Sequence, residues 1–502
     1  MADELKYGEI KTQYKKLVAS SQVMVDFNVE SKDGKRITKI LSIVTDPKVT
    51  AVDALNGECV INGRVNYKIL YLNEDNEIVS LDYFSDYKDK ISAKEVLPNS
   101  RLTVNTDIVD ITINEDGIIS ISLVIENNVY AITQEALPVL KAVPDNYFDE
   151  RRTITVQNYA DTVKSLAEVV EEASADGTVG RILMFDTTAI IDKVSAGNGI
   201  ITVEGTLFAN VLYTYSDGNY ENKQITVPFT EEQPAPAGTT LQVFSEAEIK
   251  TSKVVLAGTE DNNIIRIEAA IEIASTVIAN LEEEVVADVF SITHEINTHT
   301  EKLVADKYYD SVSFGENVGG TINLEDNMPA INNILGYLGA RNNIASLKSS
   351  ADKAVVEGIL SLTVLYRDSE ETVNSVGVEI PYSVNIKDSA IFGDFTLEGK
   401  GKAGIINVKR RRDRELEVLA ELHFNIRAYG KDTAQVISEV EELEAKAVNG
   451  SAVSIYNTGE GETLWDIAKA LSCTPDAVLQ QNEDLVFPVK NPGRVMLYRV
   501  LE

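Results

Sequence analysis

Three stretches of this chain are versions of one another, and that constrains the fold more than any single residue does. Residues 60–71 read V-I-N-G-R-V-N-Y-K-I-L-Y, residues 202–213 read T-V-E-G-T-L-F-A-N-V-L-Y, and residues 355–366 read V-V-E-G-I-L-S-L-T-V-L-Y. Each places Leu-Tyr seven residues after a glycine, and the glycines Gly63, Gly205 and Gly358 are spaced by 142 and then 153 residues. A long fixed period is the mark of a repeated structural unit. Counting by twos from each glycine meets apolar residues: Ile61, Val65, Tyr67, Ile69 and Tyr71 in the first copy, with equivalents in the others. Polar residues such as Arg64, Asn66, Lys68, Thr206, Asn210, Ser361 and Thr363 fill the alternate places. This predicts a strand with one buried face. The glycine falls on that face, where a missing side chain marks a bulge or the close approach of another segment.

Flanking signals recur at matching offsets. Ile40-Leu41, Ile182-Leu183 and Ile334-Leu335 precede the glycines by 23, 23 and 24 residues. Downstream, each copy has a second alternating strand: Ile119, Ile121, Leu123 and Ile125; Ile265, Ile267, Ala269, Ile271 and Ile273; and Leu416, Val418, Ala420, Leu422, Phe424 and Ile426. Turn sequences Asn73-Glu74-Asp75-Asn76, Asn114-Glu115-Asp116-Gly117 and Ser216-Asp217-Gly218-Asn219 predict hairpins between them. No helical period alternates with the strands, which disfavours a parallel sheet and favours a β-sandwich or open barrel. Polar stretches at 137–144, 294–310 and 438–449 read as connections. The expected organisation is mainly β: units at 1–147, 148–300 and 301–448, then a small tail at 449–502.

With 46 Lys and Arg against 79 Asp and Glu, the net charge is −33, which repels nucleic acid and anionic membranes. The start M-A-D-E-L-K is acidic where a signal peptide is cationic, and no apolar run of about 18 residues occurs, so residence inside a cell is expected. Two distant cysteines, Cys59 and Cys473, offer neither a disulfide framework nor metal-ligand spacing, and read as small buried residues. His294-Glu295-x-x-x-His299 misses the four-residue spacing of a zinc-protease helix and reads as polar linker, while His423 reads as an exposed strand residue. No phosphate-loop motif occurs. The expectation is a non-enzyme without metal or cofactor.

The tail carries the sharpest local pattern. Thr463 is placed to cap a helix at 464–471 with Leu464, Ile467, Ala468 and Leu471 on one stripe. Thr474 caps a second helix with Pro475 first and Asp476 near its positive end, and apolar strands at 453–456 and 495–500 close a βααβ unit. The stretch G-E-G-E-T-L-W-D-I-A resembles a LysM domain. The Ile-Leu, Gly-x(6)-Leu-Tyr and late-strand pattern resembles the SPOCS domain of sporulation proteins, in three sandwich-like copies. SPOCS repeats followed by LysM resemble a family of spore-coat morphogenetic proteins.

That resemblance implies a structural adaptor in the mother-cell cytoplasm, at the forespore surface and in the spore coat. Its implied partners are the coat basal-layer ATPase, stage IV sporulation protein A, and other coat proteins. The second reading is binding of peptidoglycan through N-acetylglucosamine. The family's ligand loops map onto Gly461, Glu462, Thr463 and Leu464 and onto Asn482, Glu483, Asp484 and Leu485; Trp465 beside them, following Leu464 into the helix, reads as helix-packing core ahead of a sugar platform. Glu462 replaces the family's usual Asp, and the last strand lacks the common Ile-Pro close. An acidic rim suits a basic protein surface. The only dense basic run, Lys409, Arg410, Arg411, Arg412 and Arg414, reads as a solvated hairpin tip or as a docking patch for an acidic partner or a second copy. Tyr67, Tyr71, Tyr83 and Tyr87 form a tyrosine-rich span, of which at least Tyr67 and Tyr71 are expected in the core.

Overall fold

A computed structural model describes residues 4–114, 119–236, 241–258, 263–447 and 452–498. The chain is mainly β, and the strands before residue 446 fall into three sets of six. The first is β1 (Lys6–Asn28), β2 (Ile37–Leu55), β3 (Glu58–Asn73), β4 (Ile78–Ser92), β5 (Arg101–Asn114) and β6 (Ser120–Ala142). The second is β7 (Tyr147–Ser174), β8 (Val179–Gly197), β9 (Ile200–Tyr215), β10 (Tyr220–Pro234), β11 (Leu241–Leu256) and β12 (Ile264–Ser291). The third is β13 (His294–Asn323), β14 (Asn333–Ser349), β15 (Ala354–Arg367), β16 (Val373–Ile386), β17 (Thr396–Arg412) and β18 (Glu415–Ala445).

Every set forms two antiparallel three-stranded sheets with one order. The first and last two strands make one sheet, as in β1-β6-β5, and the middle three make the other, as in β2-β3-β4. Apolar residues alternating along β3 and β6, β9 and β12, and β15 and β18 face each other between the two sheets and form one core per set. Ile61, Val65, Ile69, Tyr71, Ile121, Leu123 and Ile125 are fully inaccessible. The tyrosine-rich span divides: Tyr67, Tyr71 and Tyr87 are buried, whereas Tyr83 is exposed and stacks on Phe27 at 5.3 Å.

The repeated glycine has a specific cause. Gly63, Gly205 and Gly358 lie directly opposite Tyr87, Phe229 and Tyr382 on the next strand, and the aromatic ring lies over the glycine. A Cβ would collide with that ring in each set. Across the other edge, the register slips by one residue just after Val49, Ile191 and Ile344, the partners of the three glycines. Close approach and bulge therefore coincide, with the bulge on the neighbouring strand.

The Ile-Leu pair marks a second bulge. Leu41, Leu183 and Leu335 are the extra residues at the slips after Ile40, Ile182 and Ile334. A bulge re-aims its side chain, and here all three leucines meet in one buried cluster with Leu70, Leu212 and Leu365. Each buried leucine contributes about 2 kcal/mol. Equivalent residues from three sets meeting at one place make the sets close head to tail around a common axis. Polar contacts repeat the relation: Lys68 donates to the Phe185 carbonyl at 2.7 Å, and Asn210, its equivalent, donates to the Tyr337 carbonyl at 2.8 Å. Arg341 of the third set returns to the first, donating to the carbonyl and hydroxyl oxygens of Thr45.

Beyond the sandwiches, the outer ends of β1 and β6, β7 and β12, and β13 and β18 continue as paired ribbons. These pack together through Ile10, Val139, Ile154, Val156, Val285, Leu303, Ala305, Ala434 and Val436. This corrects the expected connections. Residues 137–142, 294–310 and 438–445 are strand, and residue 300 lies inside β13. The second and third sets are joined by Ile292 and Thr293, and Tyr147 begins β7. The stretches look polar because only one ribbon face is covered, by the other ribbons. The 448/449 boundary and most of the Asn114-Glu115-Asp116-Gly117 turn lie outside the described residues. The turns after β3 and β9 do join hairpins.

His294 and His299 lie on β13, not in a linker. His423 is 17% exposed, with its ring 5.5 Å from that of Phe208 on β9, because the second set covers it; this corrects the exposed position expected for it. Cys59 is fully buried, and Cys473 is partly buried.

Candidate partner-binding site

The tail folds as β19 (Val453–Asn457), α1 (Leu464–Leu471), α2 (Pro475–Gln481) and β20 (Arg494–Tyr498), with β19 and β20 antiparallel. Thr463 caps α1 reciprocally: its hydroxyl accepts from the Asp466 amide, and the Asp466 carboxylate accepts from the Thr463 amide at 2.8 Å. Thr474 caps α2 by accepting from the Ala477 amide at 3.1 Å, with Pro475 in the first turn. Ile467, Ala468, Val478, Val489 and Val495 form the core together with Phe290 of β12.

The loop before α1 bonds the chain near Val489, beyond the predicted residues 482–485. The Gly461 amide donates to the Val489 carbonyl at 2.8 Å, and the Val489 amide to the Glu462 carbonyl at 2.9 Å. Several predicted residues are consumed within the module. Glu462 accepts from the Tyr456 hydroxyl and the Gly459 amide, at 2.8 and 2.9 Å, and so holds its own turn. That carboxylate also pushes the Tyr456 phenol upward. Asn482 caps the end of α2 and bonds the main chain of Met496 through both amide atoms. Leu464 and Leu485 are half-buried against the core. Gly461, Thr463, Glu483 and Asp484 remain exposed.

Trp465 faces the body instead of solvent. Its indole N–H donates to Asp288 of β12 at 2.8 Å, and its ring meets Phe290 edge-on at 4.9 Å. Lys469, one turn on, donates to both oxygens of Asp288 at 2.7 and 2.6 Å. Burial works to raise the Asp288 pKa, but Lys469 and the indole N–H outweigh it and hold the carboxyl below its usual range. Lys446, just past β18, reaches Ser472 at 2.8 Å and the Ser291 carbonyl at 2.9 Å. Asp288, Phe290 and Lys446 carried no sequence signal, since their partners are remote or lie in another unit.

The basic run sits at the β17–β18 hairpin turn. Arg410 pairs with Asp413 and donates to the Asn332 carbonyl; Arg414 donates to the Met328 and Glu325 carbonyls. These two brace the neighbouring loop. Arg411 and Arg412 reach Glu415 at 3.5 and 3.3 Å yet stay exposed, as does Lys409.

Among the described residues, no group of acids, histidines and cysteines is arranged to hold a metal, and no helix is long and apolar enough to cross a membrane. Residues 36–115, spanning β2 to β5, match the family model described as SipL, SPOCS domain, a sporulation family. No curated protein and no solved structure matches the chain.

Proposed function

We propose that this protein is a SipL-like, non-enzymatic adaptor of spore-coat assembly. It consists of three SPOCS-like β-sandwich units and a LysM-like module, works in the mother-cell cytoplasm at the forespore surface, and becomes part of the coat. The module's exposed rim recruits the coat basal-layer ATPase, stage IV sporulation protein A, and the closed body presents it to other coat proteins. The observation that carries this reading is the SPOCS match at residues 36–115. The same strand order in all three sets supports extending that likeness along the body. The βααβ order supports the LysM likeness of the tail.

The rim's chemistry favours protein over glycan. Glu483 and Asp484 stand exposed, and Trp465, which could have offered a flat ring to a sugar, packs on Phe290. The test is capture of the full-length protein on immobilised ATPase and on purified peptidoglycan. ATPase capture weakened about ten-fold by joint Glu483→Lys and Asp484→Lys substitution is the expected result. Capture on peptidoglycan alone, competed by chitin-type oligomers, would overturn it.

A further inference from the structure

The two outer edges of the two-stranded β19–β20 sheet are treated differently. Along β20, two amide side chains imitate a neighbouring strand. Asn482 accepts from the Met496 amide at 3.0 Å and donates to its carbonyl at 2.8 Å. Gln481 accepts from the Tyr498 amide at 2.6 Å and donates to its carbonyl at 3.3 Å. That edge is closed.

The same bonds fix the orientation of β19. In an antiparallel pair, a residue's N–H and C=O point to the same side, and directly opposed residues share that sense. Met496 and Tyr498 point away from β19, so their partners Ile455 and Val453 point away from β20. Among the described residues, no hydrogen bond from outside this sheet reaches the main chain of either. Their side chains are also exposed, at 57% for Ile455 and 43% for Val453, on the same face as Met496 and Tyr498.

An open edge is ordinarily blunted by lysine, proline or a bulge. The strand V-S-I-Y-N has none of these. It also carries no charge, in a chain whose net charge is −33. For two copies of so acidic a molecule, most surfaces repel, and an uncharged edge is where they meet at least electrostatic cost.

We propose that β19 is a self-association edge: two copies pair antiparallel through β19, centred on Ile455, to give a four-stranded sheet β20-β19-β19-β20. The pairing is isologous, with Val453 of each copy facing Asn457 of the other. Five residues per strand make a small contact, so the dimer is weak and concentration-dependent. Its consequence is bivalency, since each dimer presents two modules and two bodies, and a surface lined with targets holds it more tightly than a monomer. The inference does not depend on which molecule the module's rim binds.

The experiment is sedimentation velocity of the full-length protein over a range of concentrations at low and high salt. A monomer–dimer equilibrium that strengthens with salt, as screening relieves the repulsion between acidic copies, is expected. Ile455→Pro removes only the outward-facing donor, and Ile455→Lys places a cation at the centre of the pair. Each is expected to weaken the dimer at least ten-fold. Fluorescence of Trp465, the chain's single tryptophan, reports whether the module stays folded in each variant. A monomer under all conditions, or a dimer unchanged in both folded variants, would overturn the proposal.

Discussion

The body and the C-terminal module are both held by contacts between units, but a charged carboxylate is prominent at the module's seat and not in the body's axial leucine cluster. Around the common axis the three sets meet through leucines, Leu41, Leu183 and Leu335 with Leu70, Leu212 and Leu365, all nearly inaccessible. The module is seated on β12 through Phe290, which is buried with Ile467, Ala468 and Val478, and through a polar clamp of Asp288 with Trp465 and Lys469. Apolar burial is indifferent to pH and resists salt; a carboxylate clamp is neither. The carboxylate clamp is the part of these contacts expected to respond to pH and salt.

The largest expected effect falls on the body's leucine cluster. Leu183→Ala removes a side chain from the three-way cluster and leaves a cavity, which costs about 3 kcal/mol. The loss appears as a lowered melting temperature of the whole body, because the leucine serves all three sets. A drop confined to the second set, read by hydrogen exchange, would contradict the closed arrangement.

An intermediate effect separates the two regions. Asp288→Ala leaves the indole N–H and Lys469 without their acceptor and costs about 1–2 kcal/mol of docking. Hydrogen exchange is expected to quicken at the module's seat on β12 while the axial leucine strands stay protected. Acid does the same work. The Asp288 carboxyl is held below its ordinary value, so its contribution is present above about pH 4 and is lost as pH falls through the depressed value. Trp465 emission should therefore shift as pH falls below about 4, before the body unfolds, and a single coincident transition would refute the distinction.

The smallest effect sits on the hairpin tip. Arg411→Ser with Arg412→Ser removes two exposed arginines that reach Glu415 only at 3.5 and 3.3 Å, and should change stability by less than about 0.5 kcal/mol. Arg414→Ala, which strips two carbonyl contacts from the neighbouring loop, should cost more in a thermal melt.

What was legible in the residues was whatever repeats or acts locally. The period-two runs named the buried strand faces. The Thr463 and Thr474 caps bounded both helices, because a cap and its target amide are three residues apart. The polar stretches were misread because the ribbons at 294–310 and 438–445 hide residues such as Leu303, Ala305 and Val440 only against other ribbons. In the candidate site, Gly461 and Glu462 bond the main chain of Val489, and Glu462, Asn482 and Trp465 are engaged within the molecule.

The sequence alone determined a mainly β chain, built from a thrice-repeated glycine-centred strand and closed by a βααβ tail. Strand period, turn chemistry and capping are written in neighbouring residues. Only the tertiary structure decided that Leu41, Leu183 and Leu335 share one core, that Tyr87, Phe229 and Tyr382 require the glycines, and that Trp465 answers to Asp288. Those outcomes depend on bulges that turn a side chain aside and on contacts between residues far apart in sequence. Such contacts have no spacing along the chain by which to be recognised.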